Sequence, residues 1–295
     1  MHAPLLSLLA LGVRIGPDAS TSLSFQRLPP ADTTLLHLRG GADVDLEEDD
    51  DDEQTGPRGL SKAEIVAKLN EVPTFCVTNE DGGVAMFRLK DPSLGPGFRA
   101  SVLFFLEPDE AKAAMANMQE AMPNTTLKLT MHTLAAAFEH CRGWQSLKNS
   151  KFVQNGIDID APDDEPPTTP QGHPIDLRIM GNHALVNSTA EAMKQTLGEH
   201  DIDPGCWTLP IFICNQLQSK SIVPAFVRPS DLKKTWIAAG RKEEDIPEDI
   251  MVVDLKLLVA QMMTDANDWT RLHIVPSEEA ATLAMEMQEA GLAPK

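Results

Sequence analysis

The side chains with the widest chemical reach in this chain are few and far apart. Four cysteines, Cys76, Cys141, Cys206 and Cys214, form no CxxC pair and no regular framework. A reactive thiolate needs nearby positive charge and exposure. Cys76 and Cys214 instead close the apolar words VPTFC and LPIFIC, which read as core strands. The expectation is buried or half-buried free thiols, with a disulfide or a zinc site as the alternatives. The eight histidines are scattered, and His132 and His140 stand at the ends of one short helical segment, where a surface or cap role outweighs metal ligation. No nucleophile elbow, phosphate loop, dinucleotide-binding glycine pattern, HExxH or paired-carboxylate signature occurs. The sequence therefore predicts no catalytic residue, no cofactor and no metal, and the chain is expected not to be an enzyme.

What remains is apolar surface. Phe75, Phe87, Phe212 and Phe226 fall on apparent strands. Large exposed apolar patches mark binding sites, so these four are candidate client-binding residues, in competition with a plain core role. Two sequons, at Asn124 and Asn187, have the pattern for glycosylation, which needs passage through a secretory route.

Charge narrows the partners. The 295 residues carry a formal net charge of −19, and residues 1–53 hold three arginines against eleven carboxylates. An acidic chain repels nucleic-acid phosphates and anionic headgroups and leaves a cationic client electrostatically open. No apolar run is long enough to span a membrane, which leaves room only for peripheral membrane association. The opening residues are more specific. APLLSLLALGV has the length of a signal-peptide core, and the following RIGPDASTSLSFQRLPPADTTLLHLRGG is rich in Ser, Thr and Arg and poor in acids, like a plastid transit peptide. Together they predict a targeting segment over residues 1–41, two-part as in algal plastids acquired by secondary endosymbiosis, with a single-step organelle address as the competing reading. Residues 42–60, containing LEEDDDDE, read as an acidic linker with too little apolar surface to pack.

Beyond the linker, strand and helix signals alternate. Ser61 and Glu64 make a capping-box pattern ahead of Ile65, Val66 and Leu69. Two strands flank a turn at Asp81, Gly82 and Gly83, and residues 102–106 are a third strand. Pro108 then opens a helix with Ala111, Ala114, Met115, Met118 and Met122 on one stripe. LKLTM reads as a strand, TLAAAFEHC as a helix and KFVQ as a strand. Residues 156–181 read as a Pro- and Asp-rich surface insertion, and HALVNSTAEAMKQTL as a strand running into a helix.

Much of this returns. VPTFCV pairs with LPIFIC, and VLFFLEPDEAKAAM with VPAFVRPSDLKKTW, where Pro108 and Pro229 each switch a strand to a helix. LKLTMHTLAAAF pairs with MVVDLKLLVAQM, placing Leu134 over Leu258, and HALVNSTAEAM with LHIVPSEEAAT. The predicted fold class is α/β (α+β), with two internally repeated β-β-β-α-β-α-β-α halves forming a pseudo-twofold, two-lobed domain. The first repeat spans residues 61–204 and the second 205–295, with a working surface expected between them.

VPTFCVTNEDGG with VLFFLEPDEAKAAMANM, then LPIF, IVPAFVRPSDLKKTW and LHIVPSEEA, resembles the Tic twenty-two family over residues 62–290. These are soluble intermembrane-space components of the chloroplast inner-envelope import translocon. The acidic tract and the insertion depart from the family pattern and bear on any transfer of sites. The resemblance implies a non-enzymatic plastid import factor that binds unfolded preproteins and translocon components, chaperone-like, in the envelope intermembrane space of a complex algal plastid. The alternative is a structural or assembly subunit of a plastid membrane complex, such as a photosynthetic one.

Overall fold

Ser61 opens the first helix as its spacing predicts. Its hydroxyl accepts the Glu64 N–H at 3.3 Å, and the Glu64 carboxylate accepts the Ser61 N–H at 2.8 Å. Two donors without intrahelical partners are thereby satisfied, and helix α1 (Lys62–Asn70) turns Ile65 and Leu69 into the core. The computed structural model describes residues 58–90, 98–159, 161, 165–169, 171–247 and 250–291. The address-like residues 1–41 and all but the end of the 42–60 linker lie outside the described residues.

The first sheet holds β1 (Pro73–Asn79), β2 (Phe87–Lys90), β3 (Phe98–Phe105), β4 (Leu127–Thr133) and β5 (Ile175–Met180). Its strands run β4-β1-β3-β5, with β2 beside the opening half of β3. β3 and β5 are parallel and the other pairs antiparallel. The predicted turn forms with Gly82 at φ 79°, a left-handed conformation that glycine adopts without strain. The chain leaving it makes one bridge to β1, at Thr78 and Val84, before pairing with β3. Helices α2 (Pro108–Ala121), α3 (Leu134–His140), α4 (Gly143–Ser146), α5 (Lys151–Gln154) and α6 (His183–Glu199) complete this part of the chain.

The second sheet holds β6 (Pro210–Ile213), β7 (Val223–Phe226), β8 (Met251–Asp254) and β9 (Leu272–Val275), in the order β8-β6-β7-β9. Helices α7 (Pro229–Ala238), α8 (Leu255–Met262) and α9 (Glu278–Glu289) alternate with its strands. Here too one pair, β7 with β9, is parallel and the others antiparallel. The registers run alike. Phe75 lies opposite Phe105 and Met131, and Phe212 lies opposite Phe226 and Val252. Phe105 then pairs with Met180, as Phe226 does with Val275. Helix starts also match. Thr133 and Asp254 cap α3 and α8 through their side chains, and Asn182 and Ser277 cap α6 and α9.

Three apolar clusters fill the layers. The central one lies between the sheets and joins Ile65, Phe104, Leu134 and Phe138 to Leu209, Ile211, Leu255 and Leu258. The outer face of the first sheet carries Phe75, Phe87 and Phe105 under α2 and α9, with Ala280, Ala284 and Met287 of α9 closing the cluster. The outer face of the second sheet carries Phe212 and Phe226 under Leu232 and Trp236 of α7, and α6 packs on β6 and β8. The last helix after each sheet thus crosses to cover the other sheet. Burial on both faces explains why β1 and β3 read as unbroken apolar runs.

Five expectations change. The second half opens with two strands, β6 and β7, before its first helix, so it lacks one strand of the β-β-β-α-β-α-β-α pattern predicted for both halves, and its sheet has four strands against five. KFVQ is the short helix α5, since the Gln154 N–H bonds back to Ser150, the Lys151 N–H bonds to His200 at the end of α6, and neither reaches a sheet. HALVNSTAEAMKQTL is helix from its first residue, because the Asn182 side chain accepts the Leu185 N–H at 3.1 Å and starts α6 there. The strand before it, β5, lies inside the segment read as an insertion over 156–181. The sheet registers also shift two of the pairings. Leu134 N–H donates to Val72 and Leu255 N–H to Leu209, so Leu134 corresponds in place to Leu255, three residues before Leu258.

Candidate functional site

The two strand–proline–helix corners face each other. β3 ends through Glu107 into Pro108, and β7 ends through Arg228 into Pro229. Proline suits a first helical turn because its missing N–H has no partner there in any residue. Glu107 and Arg228 hold the two N-cap positions, and their side chains pair at 3.3 Å. Arg228 also donates to Asp231 at 3.0 Å and to Glu279 of α9, and Lys234 bridges to Glu278 at 3.0 Å. On the other side, Glu110 of α2 accepts the His183 N–H at 2.8 Å. The starts of α2, α6, α7 and α9 are therefore gathered in one place.

Carboxylates outnumber cations there. Burial pushes the Glu107 carboxyl up to about 7, against the opposing pull of Arg228. Beside the cluster a groove of about 390 Å³ runs between α2 and α9, lined by Pro108, Asp109, Lys112, Glu278, Glu279, Thr282, Leu283 and Glu286. Its floor is partly apolar through Pro108 and Leu283; of the four carboxylates on its rim, Glu278 and Glu279 are paired with Lys234 and Arg228, leaving Asp109 and Glu286 beside Lys112. A net-negative wall favours basic over acidic groups near it. It joins a helix of the first part of the chain to one of the second.

The candidate phenylalanines are elsewhere. Phe75, Phe87, Phe212 and Phe226 are 0%, 8%, 6% and 1% exposed. Helices cover them, so they form core beneath α2, α7 and α9 and offer no open surface. The four thiols are free, three of them buried and Cys206 half-buried. Burial pushes the Cys76 thiol up to about 12 and the Cys141 thiol well above its ordinary value, conditions that disfavour a nucleophilic thiolate. His132 and His140 both pack against the Phe104 ring. Burial lowers His132 to about 4, a further push coming from His140. Asn124 and Asn187 are both exposed.

Two features escaped the sequence. Asp254 and Lys256 are fully buried. Asp254 accepts the N–H groups of Leu209 and Lys256, and Lys256 Nζ donates to Pro204 at 2.8 Å and Trp207 at 2.6 Å while lying 3.6 Å from the Trp207 ring centroid. The pair pins the passage between the two sheets, since Trp207 Nε1 in turn donates to Cys141 at 2.9 Å. A second cavity of about 220 Å³ adjoins it, lined by Cys141, Asp176, Cys206 and Trp207 among others. Among the described residues no three His, Cys, Asp or Glu side chains group to hold a metal ion, and no helix is long and apolar enough to cross a membrane.

Two solved structures are similar to this chain. Tic22 from Plasmodium falciparum matches with a TM-score of 0.47 and 16% identity over 77% of this chain and 98% of that one. Anabaena Tic22, a protein-transport structure, matches with a TM-score of 0.45 and 17% identity over 77% and 97%. No family model matches the chain, and no curated protein matches it.

Proposed function

We propose that the chain is a non-catalytic plastid import factor. It holds unfolded preproteins in the envelope intermembrane space, in a chaperone-like manner, and passes them to translocon components. The observation that carries this reading is the acidic groove between α2 and α9, with its partly apolar floor. Transit peptides resemble the opening of this chain itself, basic and poor in acids. The address-like opening and the family resemblance of the sequence support the compartment, with the two-part address favouring a complex algal plastid.

The test is direct. Purified full-length chain is titrated with fluorescent transit peptides and assayed for suppression of aggregation of an unfolded preprotein. Binding is expected, weakening as salt rises because charges beyond about 10 Å are screened at 0.1 M. Asp109→Asn with Glu286→Gln should weaken it further. No binding to any of several preproteins defeats the reading, and stoichiometric co-purification with a photosynthetic complex would favour an assembly subunit instead.

The groove is joint property of two matched units. We infer that the two sheets and their helices are copies of one module, related by a pseudo-twofold axis near Glu107 and Arg228. Shared strand order, shared register and matched cap positions support this. Superposition of residues 72–199 on 209–290 tests it, and halves that fail to overlay on their strands would remove it.

A further inference from the structure

The outer edges of the two sheets are not alike. Beyond β9, Lys68 Nζ donates to the carbonyls of Thr270 and Leu272, both at 2.8 Å. Beyond β5, the Cys206 thiol reaches the Leu177 carbonyl at 3.4 Å and the Pro167 carbonyl accepts the Ile175 N–H at 2.7 Å. These two edges are occupied. β4 and β8 are the outermost strands on the other side, and among the described residues no strand lies beyond either.

β4 carries an exposed Lys128 at its second residue, a usual way to blunt an edge. β8 has no such guard. Its one charged residue, Asp254, is fully buried and turned onto the start of α8. Met251 and Val252, by contrast, are 44% and 37% exposed, adjacent in sequence and on opposite faces of the strand. Backbone phase is fixed by the Leu255 N–H donating to Leu209 at 2.9 Å. Alternation along an antiparallel ladder then points the N–H and C=O of Met251 and Val253 to β6 and those of Val252 outward. The turn leading into β8 exposes Glu243, Glu244 and Asp245; Lys233 and Lys242 offset the first two.

We propose that β8 is a strand-addition site, at which an extended basic stretch of unfolded polypeptide joins the second sheet as a further strand. This rests on the preprotein-binding reading above and gives it a second handhold, on the client's backbone. Backbone bonding suits clients that share little sequence, because main-chain groups supply the affinity and side chains only tune it. The net charge of −19 fits a basic segment, and Asp245 adds to it at the entrance, where Glu243 and Glu244 are paired with lysines. A second copy of this chain is the poorer occupant. It brings the same negative charge, and a four-residue edge falls far short of the roughly 800 Å² per partner that a stable pair buries.

The experiment uses the full chain and a fluorescent ten-residue peptide alternating valine with arginine and serine, read by anisotropy. Two further peptides carry backbone N-methyl groups on one edge or on the other. Strand addition predicts at least a tenfold loss for one methylated edge and little change for the other. It also predicts a similar loss with Val252→Pro, which removes the outward N–H and leaves the ladder to β6 intact, and with glutamate in place of arginine in the peptide. If Val252→Pro fails to fold, the methylated peptides still decide with the unaltered protein. Equal binding of all three peptides overturns the edge site while leaving preprotein binding standing. No binding of the peptide or of any preprotein overturns both.

Discussion

The two proline corners have one backbone and opposite charge. β3–Glu107–Pro108–α2 and β7–Arg228–Pro229–α7 each run a buried strand into a helix whose first residue is proline. The two N-cap side chains touch each other. Like charges at such a distance repel, so the meeting is an attraction only because one corner carries Glu and the other Arg. The rest of the corner tolerates sameness because proline and apolar residues meet sheet and helix rather than themselves.

The comparison can be broken in several ways, and the largest effect should come from the core. Phe75→Ala and Phe212→Ala occupy matching register positions and should each cost about 3–5 kcal/mol in chemical denaturation. A large inequality between them would show that the two outer clusters are not equivalent in packing. Next comes Arg228→Ala, which strands Glu107 and Asp231 without their guanidinium and should cost about 3 kcal/mol. The exchange Glu107→Arg with Arg228→Glu should recover part of that loss; a double variant no better than the sum of its singles would deny a direct coupling.

A smaller effect depends on pH. The Glu107 carboxyl is raised in the folded chain from 4.5 to about 7 by burial. Its stabilising contribution is then complete below about 4.5 and is lost as pH rises through about 7. Melting followed from pH 5 to pH 8 should show the wild type losing stability relative to Glu107→Gln. His132 works in the other sense. Lowered by burial from 6.5 to about 4, it withdraws stability as pH falls through that window. Parallel curves for wild type and Glu107→Gln would mean that Arg228 holds the carboxylate ionised. The smallest change is expected at the surface, where Met251→Ser should leave stability within about 0.5 kcal/mol.

Local chemistry made the corners legible. Proline after an apolar run, Ser61 with Glu64, and the alanine and methionine stripe of α2 all act within a few residues, and the stripe packs where its spacing predicts. β5 was harder. Its apolar residues Ile175, Leu177 and Ile179 alternate, yet Asp176 and Arg178 between them look like loop. Their charges are matched within the sheet by each other and by Arg99 on β3. Such pairing is invisible until the strands meet. The candidate phenylalanines failed for a similar reason. A strand residue shows its side but not what covers it, and here the cover comes from helices distant in sequence, α9 among them. Two partial signals were present for the groove: acids in the first turns of α2 and α9. Helix dipoles favour them anywhere, so alone they could not reveal that these turns converge.

The crossing of α6 and α9 sets an order of assembly. The outer face of the first sheet is closed by residues 280–287, almost the last of the described chain. Phe75 and Phe105 therefore have only α2 over them until the last described helix arrives. A first half made alone would expose that face and should bind holdases or aggregate. Completion is late and all at once. Whatever route the chain takes, the first sheet is sealed only by the last of its described helices.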